Sequence, residues 1–261
     1  MLDDVWFQRT QRLARDLAGI ELSENNRDFL ARRCARFERG GGNVDTLLAE
    51  CEQGKPAAID RLINLITTRH TAFFRDPWQF QIAAEHVLWI AKQRRAQVWS
   101  AACASGEEPY SMAMAAIEIF KTNTPPVDIL ATDIAAVALA TAEAGIYAEG
   151  RLEDLSAERR AAFLIADPES KSFAIAPALR ALVRFARCNL LESPWPVVGP
   201  LDVVFCRNVL MYLDADQRLE ILTRIAHILA PNGLLFLDVT EYLGTAAHLF
   251  AARGGGIFMI K

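Results

Sequence analysis

The stretch VWSAACASGEEPYSMAMAAIEIFKTNTPPVDILATD, running from Val98 to Asp133, decides the fold. Val98-Trp99-Ser100-Ala101 is a short β-rich run, Ser105-Gly106 a turn, Glu107 to about Phe120 a helical pattern, and Val127-Asp128-Ile129-Leu130-Ala131-Thr132 a second strand. Strand, helix and strand in that order make one βαβ unit. The alternation continues with a helix from Ala135 to Ala144, a strand at Asp202-Val203-Val204-Phe205-Cys206 and a helix from Ala215 to Leu229. Pro231-Asn232-Gly233 then turns into the strand Leu234-Leu235-Phe236-Leu237-Asp238, and Ile257 to Ile260 supplies a last edge strand. Such a series assembles as a twisted, mostly parallel α/β sheet with helices on both faces.

Upstream of the sheet the texture is helical. Val5, Trp6, Leu13 and Leu17 form one apolar stripe in a helix from Asp3, which Gly19 stops. Ser23 caps a second helix with Leu30, Cys34 and Phe37 on one face, and Gly40-Gly41-Gly42 ends it. The other faces of that helix carry Arg27, Arg32, Arg33, Arg36 and Arg39 against only Asp28 and Glu38. Asn43 caps a third helix and Pro56 opens a fourth. Residues 1–76 therefore read as a small all-helical domain and residues 77–261 as the sheet domain. A charged helical stretch, Leu152 to Phe163, and weak alternating segments at Phe173-Ile175 and Val183-Phe185 break the βα rhythm. They predict an inserted subdomain at about 151–188.

Composition narrows the partners. A 261-residue chain with 52% hydrophobic and 23% charged residues has ample interior for a core, which excludes disordered and fibrous classes. With 28 Lys+Arg against 32 Asp+Glu the net charge is -4, so no nucleic-acid-binding bias exists. The N-terminus Met1-Leu2-Asp3-Asp4 is acidic, and the most apolar stretch, Ile134 to Ala142, is far shorter than a membrane span. A cytoplasmic protein without membrane insertion, and a monomer, is expected. Cys34, Cys51, Cys103, Cys188 and Cys206 form no C-x-x-C pair, and His70, His86, His227 and His248 have no ligand spacing, so neither a disulfide framework nor a metal site is expected.

Open α/β sheets bind ligands where strands end at their carboxyl edge. The turn Ala102-Cys103-Ala104-Ser105-Gly106-Glu107-Glu108-Pro109 lies there and has one glycine, not the three of a pyrophosphate-binding fingerprint. Two glutamates in its place suit a ligand offering an ammonium or hydroxyls, as S-adenosylmethionine (SAM) does; equally, they favour the positive end of a helix. Asp133 can accept from both hydroxyls of a ribose or cap a helix. Asn189-Leu190 can read and cover an adenine or make a turn. Thr71-Ala72-Phe73-Phe74-Arg75-Asp76-Pro77 and Arg207-Asn208-Val209-Leu210-Met211-Tyr212 can be site segments or core plugs with surface ion pairs.

Taken in order, these segments resemble the CheR-type chemotaxis receptor glutamate O-methyltransferases over essentially the whole chain. Gly106-Glu107-Glu108-Pro109-Tyr110-Ser111 and Phe205-Cys206-Arg207-Asn208-Val209 carry the likeness. The resemblance implies a Rossmann-like SAM-dependent methyltransferase sheet with a small all-helical N-terminal domain and an inserted subdomain. It places Thr71, Arg75 and Glu108 around the methionine end of SAM, Asp133 at the ribose, and Asn189 and Leu190 at the adenine. Arg207 and Asn208 complete the cofactor set, and Arg75 and Tyr212 stand beside the reacting methyl. The implied activity methylates glutamate side chains in the cytoplasmic helical domain of chemoreceptors and leaves S-adenosylhomocysteine. In some members the insertion adds a strand to a receptor-tail peptide; here it is short and interrupted by Pro177. Asp238-Val239-Thr240-Glu241 stands where the family usually has Gly-His-Ser-Glu, which leaves open a carboxyl methyltransferase of another substrate or a silent SAM-binding signalling module.

Overall fold

A computed structural model describes residues 4–67 and 71–261. The start of the chain at Met1 to Asp3, and His70, lie outside the described residues. Four helices come first: α1 (Asp4–Ala18), α2 (Arg27–Arg39), α3 (Val44–Glu52) and α4 (Pro56–Ile66). Gly19 ends α1 at φ +67°, donating its N–H to the Arg15 carbonyl at 2.9 Å. Ser23 opens a single 3-10 turn through Asn26, and α2 starts only after it. Trp6, Phe7, Leu30, Leu48 and Leu62 form the buried centre of this helical unit. Ala135 and Ala138 join the same cluster. The helical unit is thereby seated on the sheet domain by apolar burial.

The rest follows the βα rhythm: α5 (Pro77–Ile90), β1 (Ala96–Ser100), α6 (Glu107–Phe120), β2 (Val127–Asp133), α7 (Ala136–Ala144), β3 (Ile146–Ala148), α8 (Ala157–Phe163), β4 (Leu164–Asp167), β5 (Ser172–Ile175), α9 (Pro177–Arg180), β6 (Val183–Arg187), β7 (Leu201–Phe205), α10 (Ala215–Ile228), β8 (Leu229–Phe236), β9 (Phe250–Gly254) and β10 (Ile257–Ile260). The main sheet has the order β6-β2-β1-β7-β8-β10-β9. Its first five strands are parallel, and β10 runs antiparallel to both neighbours. Strand alternation sorts the two cores: Val98, Val203 and Phe236 pack with α5 and α6, while Trp99, Val204 and Leu235 pack with α10. The order reverses at β1, so the β1–β7 crevice is the topological switch point.

Three details differ from the sequence reading. Val183–Arg187, expected within the insertion at 151–188, pairs in parallel with β2 as the sheet's edge. The insertion instead begins at β3 and forms a separate three-stranded sheet, β3-β5-β4. Ile257–Ile260 is not an edge strand, because Gly254-Gly255-Gly256, all at positive φ, turn β9 back outside it. The helix expected from Leu152 spans only Ala157–Phe163, with the Ser156 side chain accepting from the Arg159 N–H.

Candidate functional site

At the carboxyl end of β1 the chain passes through Ala104 at φ +47° and Gly106 at φ +96° before α6. A Cβ on Gly106 would stand 2.8 Å from Ala142 Cβ and 2.9 Å from the Tyr147 hydroxyl, so close packing as well as φ requires glycine. The two glutamates then part company. Glu107 is fully buried and turned away from the crevice, held by Arg151 of the inserted segment and by the Ser105 hydroxyl at 2.8 Å. Tyr147 adds a 2.7 Å bond to the Ser105 carbonyl. Glu107 is thus a structural anchor, and of the two glutamates only Glu108, the one that the resemblance places at the methionine end of SAM, lines the crevice. Glu108 faces the crevice, accepting from Ser100 Oγ at 2.7 Å. Burial pushes its carboxyl up, opposed by the Arg207 guanidinium and that hydrogen bond.

Asp133, at the end of β2, is fastened by main chain. Its Oδ2 accepts from the Ala104 N–H and its Oδ1 from the Ala135 N–H, both at 2.8 Å. It therefore closes the β1 loop and opens the next helix while still lining the crevice. Asn189 makes a local turn, its Oδ1 accepting from the Leu191 N–H at 3.1 Å and its Nδ2 donating to Glu192 at 3.1 Å. Leu190 is buried beneath it.

The β7–β8 side is assembled from charged side chains. Arg207 is almost wholly buried and donates to the Arg75 carbonyl at 2.8 Å and to Asp76 at 2.7 Å. Its Nε sits 3.8 Å from Glu108, and among the described residues Nε and Nη1 have no hydrogen-bond partner. Arg75 Nη2 lies 3.1 Å from Asp238, which also accepts from Asn208 Nδ2 at 2.8 Å. Burial raises the Asp238 carboxyl, but the Thr240 hydroxyl and amide, Asn208 and Arg75 outweigh it and bring it to about 2. Beside it, burial pushes Glu241 up, although the amides of Asn208, Asp238 and Met211 donate to it. Tyr212 packs on the helical unit, its carbonyl accepting from the Glu21 N–H at 2.8 Å.

All nine residues expected at the site, Thr71, Arg75, Glu108, Asp133, Asn189, Leu190, Arg207, Asn208 and Tyr212, line one cleft of about 1020 Å³ counted with its open mouth. Ala18, Ile20 and Thr67 of the helical unit close one wall. Asp238 and Glu241, which the sequence marks only as a departure from the family pattern, organise the cleft from behind, and Arg151 escapes the sequence reading because its partner Glu107 lies far from it along the chain. Residues 69–257 match the family described as CheR methyltransferase, SAM binding domain. The chain belongs to the CheR methyltransferase family. It is 34% identical over its whole length to the chemotaxis protein methyltransferase of Escherichia coli, covering 92% of that protein. It is 33% identical to chemotaxis protein methyltransferase 2 of Pseudomonas aeruginosa, over 97% of this chain and 91% of the relative. A chemotaxis protein methyltransferase of Vibrio anguillarum is 39% identical over 93% and 90% of the two chains.

SAM is the cofactor, and the donor set fits it. Carboxylates at Glu108 and Asp133 suit an ammonium and hydroxyls, buried N–H groups of Arg207 suit a carboxylate, and Ile134 and Leu190 offer apolar cover for a purine. This CheR chain is a SAM-dependent methyltransferase of chemotaxis. No described helix is long and apolar enough to cross a membrane.

Proposed function

We propose that the chain methylates glutamate side chains in the cytoplasmic helical domain of chemoreceptors, giving γ-methyl esters, and works in the cytoplasm. The observation that carries this reading is the convergence of Arg75 and Tyr212, from segments far apart in sequence, on the cleft that Glu108 and Asp133 also line. In the reading, Thr71, Arg75, Glu108, Arg207 and Asn208 hold the methionine end of SAM, Asp133 the ribose, and Asn189 and Leu190 the adenine.

SAM supplies a sulfonium-bound methyl with a good leaving group, and the acceptor carboxylate is already a nucleophile, so no general base is needed. The protein contributes geometry. Arg75 orients the acceptor carboxylate, the Tyr212 hydroxyl fixes the reacting end, and the wall of Ala18 and Ile20 excludes water. Arg32, Arg36 and Arg39 of α2 are exposed and supply a positive face for an acidic receptor helix. Arg27 and Arg33 do not join that face freely. Arg27 pairs with Asp4 at 2.8 Å, and Arg33 donates to the carbonyls of Asn64 and Thr67.

The test is incubation with tritiated SAM and receptor-containing membranes. Receptor label released as methanol by mild base supports the reading. Base-stable label, label on another protein, or SAM binding without turnover sinks it.

A further inference from the structure

Two arginines meet at the acceptor end of the cleft, and each has its own acid: Arg207 with Asp76 at 2.7 Å and Arg75 with Asp238 at 3.1 Å. The pairs are linked, because Arg207 also donates to the Arg75 carbonyl at 2.8 Å. Main chain and side chain of Arg75 are therefore held by different partners. Asp238 is 4% exposed and divides its two oxygens. Oδ1 is anchored locally, accepting from the Thr240 N–H at 3.0 Å and the Thr240 hydroxyl at 2.6 Å. Oδ2 gathers Asn208 Nδ2 and Arg75 Nη2, both from residues that line the cleft. With donors on both oxygens the carboxyl stays ionised across the functional pH range.

We propose that Asp238 is a positioning residue for methyl transfer: its carboxylate, anchored through Oδ1 by Thr240, holds the Arg75 guanidinium through Oδ2 at the place in the cleft wall where the acceptor carboxylate is oriented, and it ties that group to Asn208. The proposal rests on the reading that the acceptor is a carboxylate. A charge is needed, not only the shape, since an amide nitrogen in place of Oδ2 would face two donors with a third. Arginine offers a planar fork whose direction matters, so loosening it costs rate more than cofactor affinity.

The experiment measures single-turnover methylation of receptor membranes and calorimetric binding of S-adenosylhomocysteine for Asp238→Asn, Asp238→Glu, Arg75→Ala and the double variant Arg75→Ala/Asp238→Asn. The expected result is at least tenfold slower transfer for Asp238→Asn with cofactor affinity within about threefold, and a loss within threefold for Asp238→Glu, which keeps the charge. In the Arg75→Ala background, Asp238→Asn should slow transfer no further. Should Asp238→Asn not fold, Thr240→Val removes the hydroxyl that aims Oδ1 and should slow transfer about threefold. Wild-type transfer in the folded Asp238→Asn or in Thr240→Val, or slowing undiminished by Arg75→Ala, overturns the role of Asp238 alone. Absence of base-labile label with the wild-type protein overturns the carboxylate reading and the positioning role with it.

Discussion

At the β1–β2 side of the cleft Asp133 is held by main chain, whereas at the β7–β8 side Arg75, Asp238, Asn208 and Arg207 are held largely through one another. Asp133 accepts from the amides of Ala104 and Ala135, and the loop before α6 is pinned by Tyr147 on the Ser105 carbonyl. Across the cleft, Arg75, Asp238, Asn208, Arg207 and Asp76 form a chain of charged and amide groups. A main-chain lattice is stiff and tolerant, because its donors cannot be mutated away. A side-chain lattice is fragile at every node, since one truncation leaves a buried partner charge uncompensated. The two ends should therefore fail differently: the first through affinity, the second through rate.

The largest effect is expected at the side-chain end. Arg75→Lys keeps the charge but loses the fork, so turnover should fall about a hundredfold while S-adenosylhomocysteine affinity falls much less. Tyr212→Phe should follow the same pattern with a smaller loss of turnover. Equal losses of turnover and affinity at both positions would erase the contrast between the two ends.

Asp133→Ala probes the other end. Each hydrogen bond to a charged group is worth about 1.5 to 3 kcal/mol, so cofactor affinity should weaken at least tenfold, with turnover at saturating cofactor largely kept. Calorimetry on the folded variant decides it, and an unchanged dissociation constant removes Asp133 from the site.

Glu108 gives a pH signature of its own. Burial raises its carboxyl, so in an acid titration it takes up a proton before an ordinary glutamate does. Protonation removes the charge that suits an ammonium. Cofactor affinity should therefore be full above the raised value and decline as pH falls through it, and Glu108→Gln should be weak at every pH with that decline gone. A wild-type affinity flat down to the ordinary glutamate range would place the ammonium elsewhere.

The same contrast explains what was legible in the chain. The sheet could be read because Val98 to Asp133 carries its own period, its own turn glycine and its own helix start within one contiguous stretch. The nine residues that line the cleft were reachable through short family-like motifs, Thr71 and Arg75 in the segment before α5 and the others at or just past strand ends. Which way Glu107 turns is not legible locally because it depends on Arg151, 44 residues away in the insertion. Asp238 stands out in the sequence only as a departure from the family pattern, and its role is not legible there because its partners Arg75 and Asn208 lie on other elements. The edge position of β9 depended on the turn at Gly254-Gly255-Gly256, which decides direction without adding hydrophobic pattern. Local periodicity shows where strands and turns are. It does not show which charge a distant segment will bring.

The smallest effect is expected outside the cleft, on α2, where exposed charge neither anchors main chain nor joins the lattice. Five arginines made this helix look uniformly basic, but Arg33 is committed to the Asn64 and Thr67 carbonyls and lies over Phe29 at 5.2 Å, and Arg27 is bound to Asp4 and Glu24. Reversing either would disturb the helical unit itself. Arg32, Arg36 and Arg39 are the exposed set, and Arg32→Glu/Arg36→Glu/Arg39→Glu is the informative variant. Exposed charge pairs contribute roughly 0.2 to 1 kcal/mol each and are screened within about 8 Å at physiological salt. The Michaelis constant for receptor should rise about fivefold to tenfold at low salt, with S-adenosylhomocysteine affinity intact, because the face steers an acidic helix and touches no cofactor. Raising salt should slow the wild type at limiting receptor and leave the variant nearly unchanged, so the two converge. A variant with wild-type receptor kinetics and the same salt dependence would make α2 a solvating face, and receptor recognition would then fall to the cleft walls.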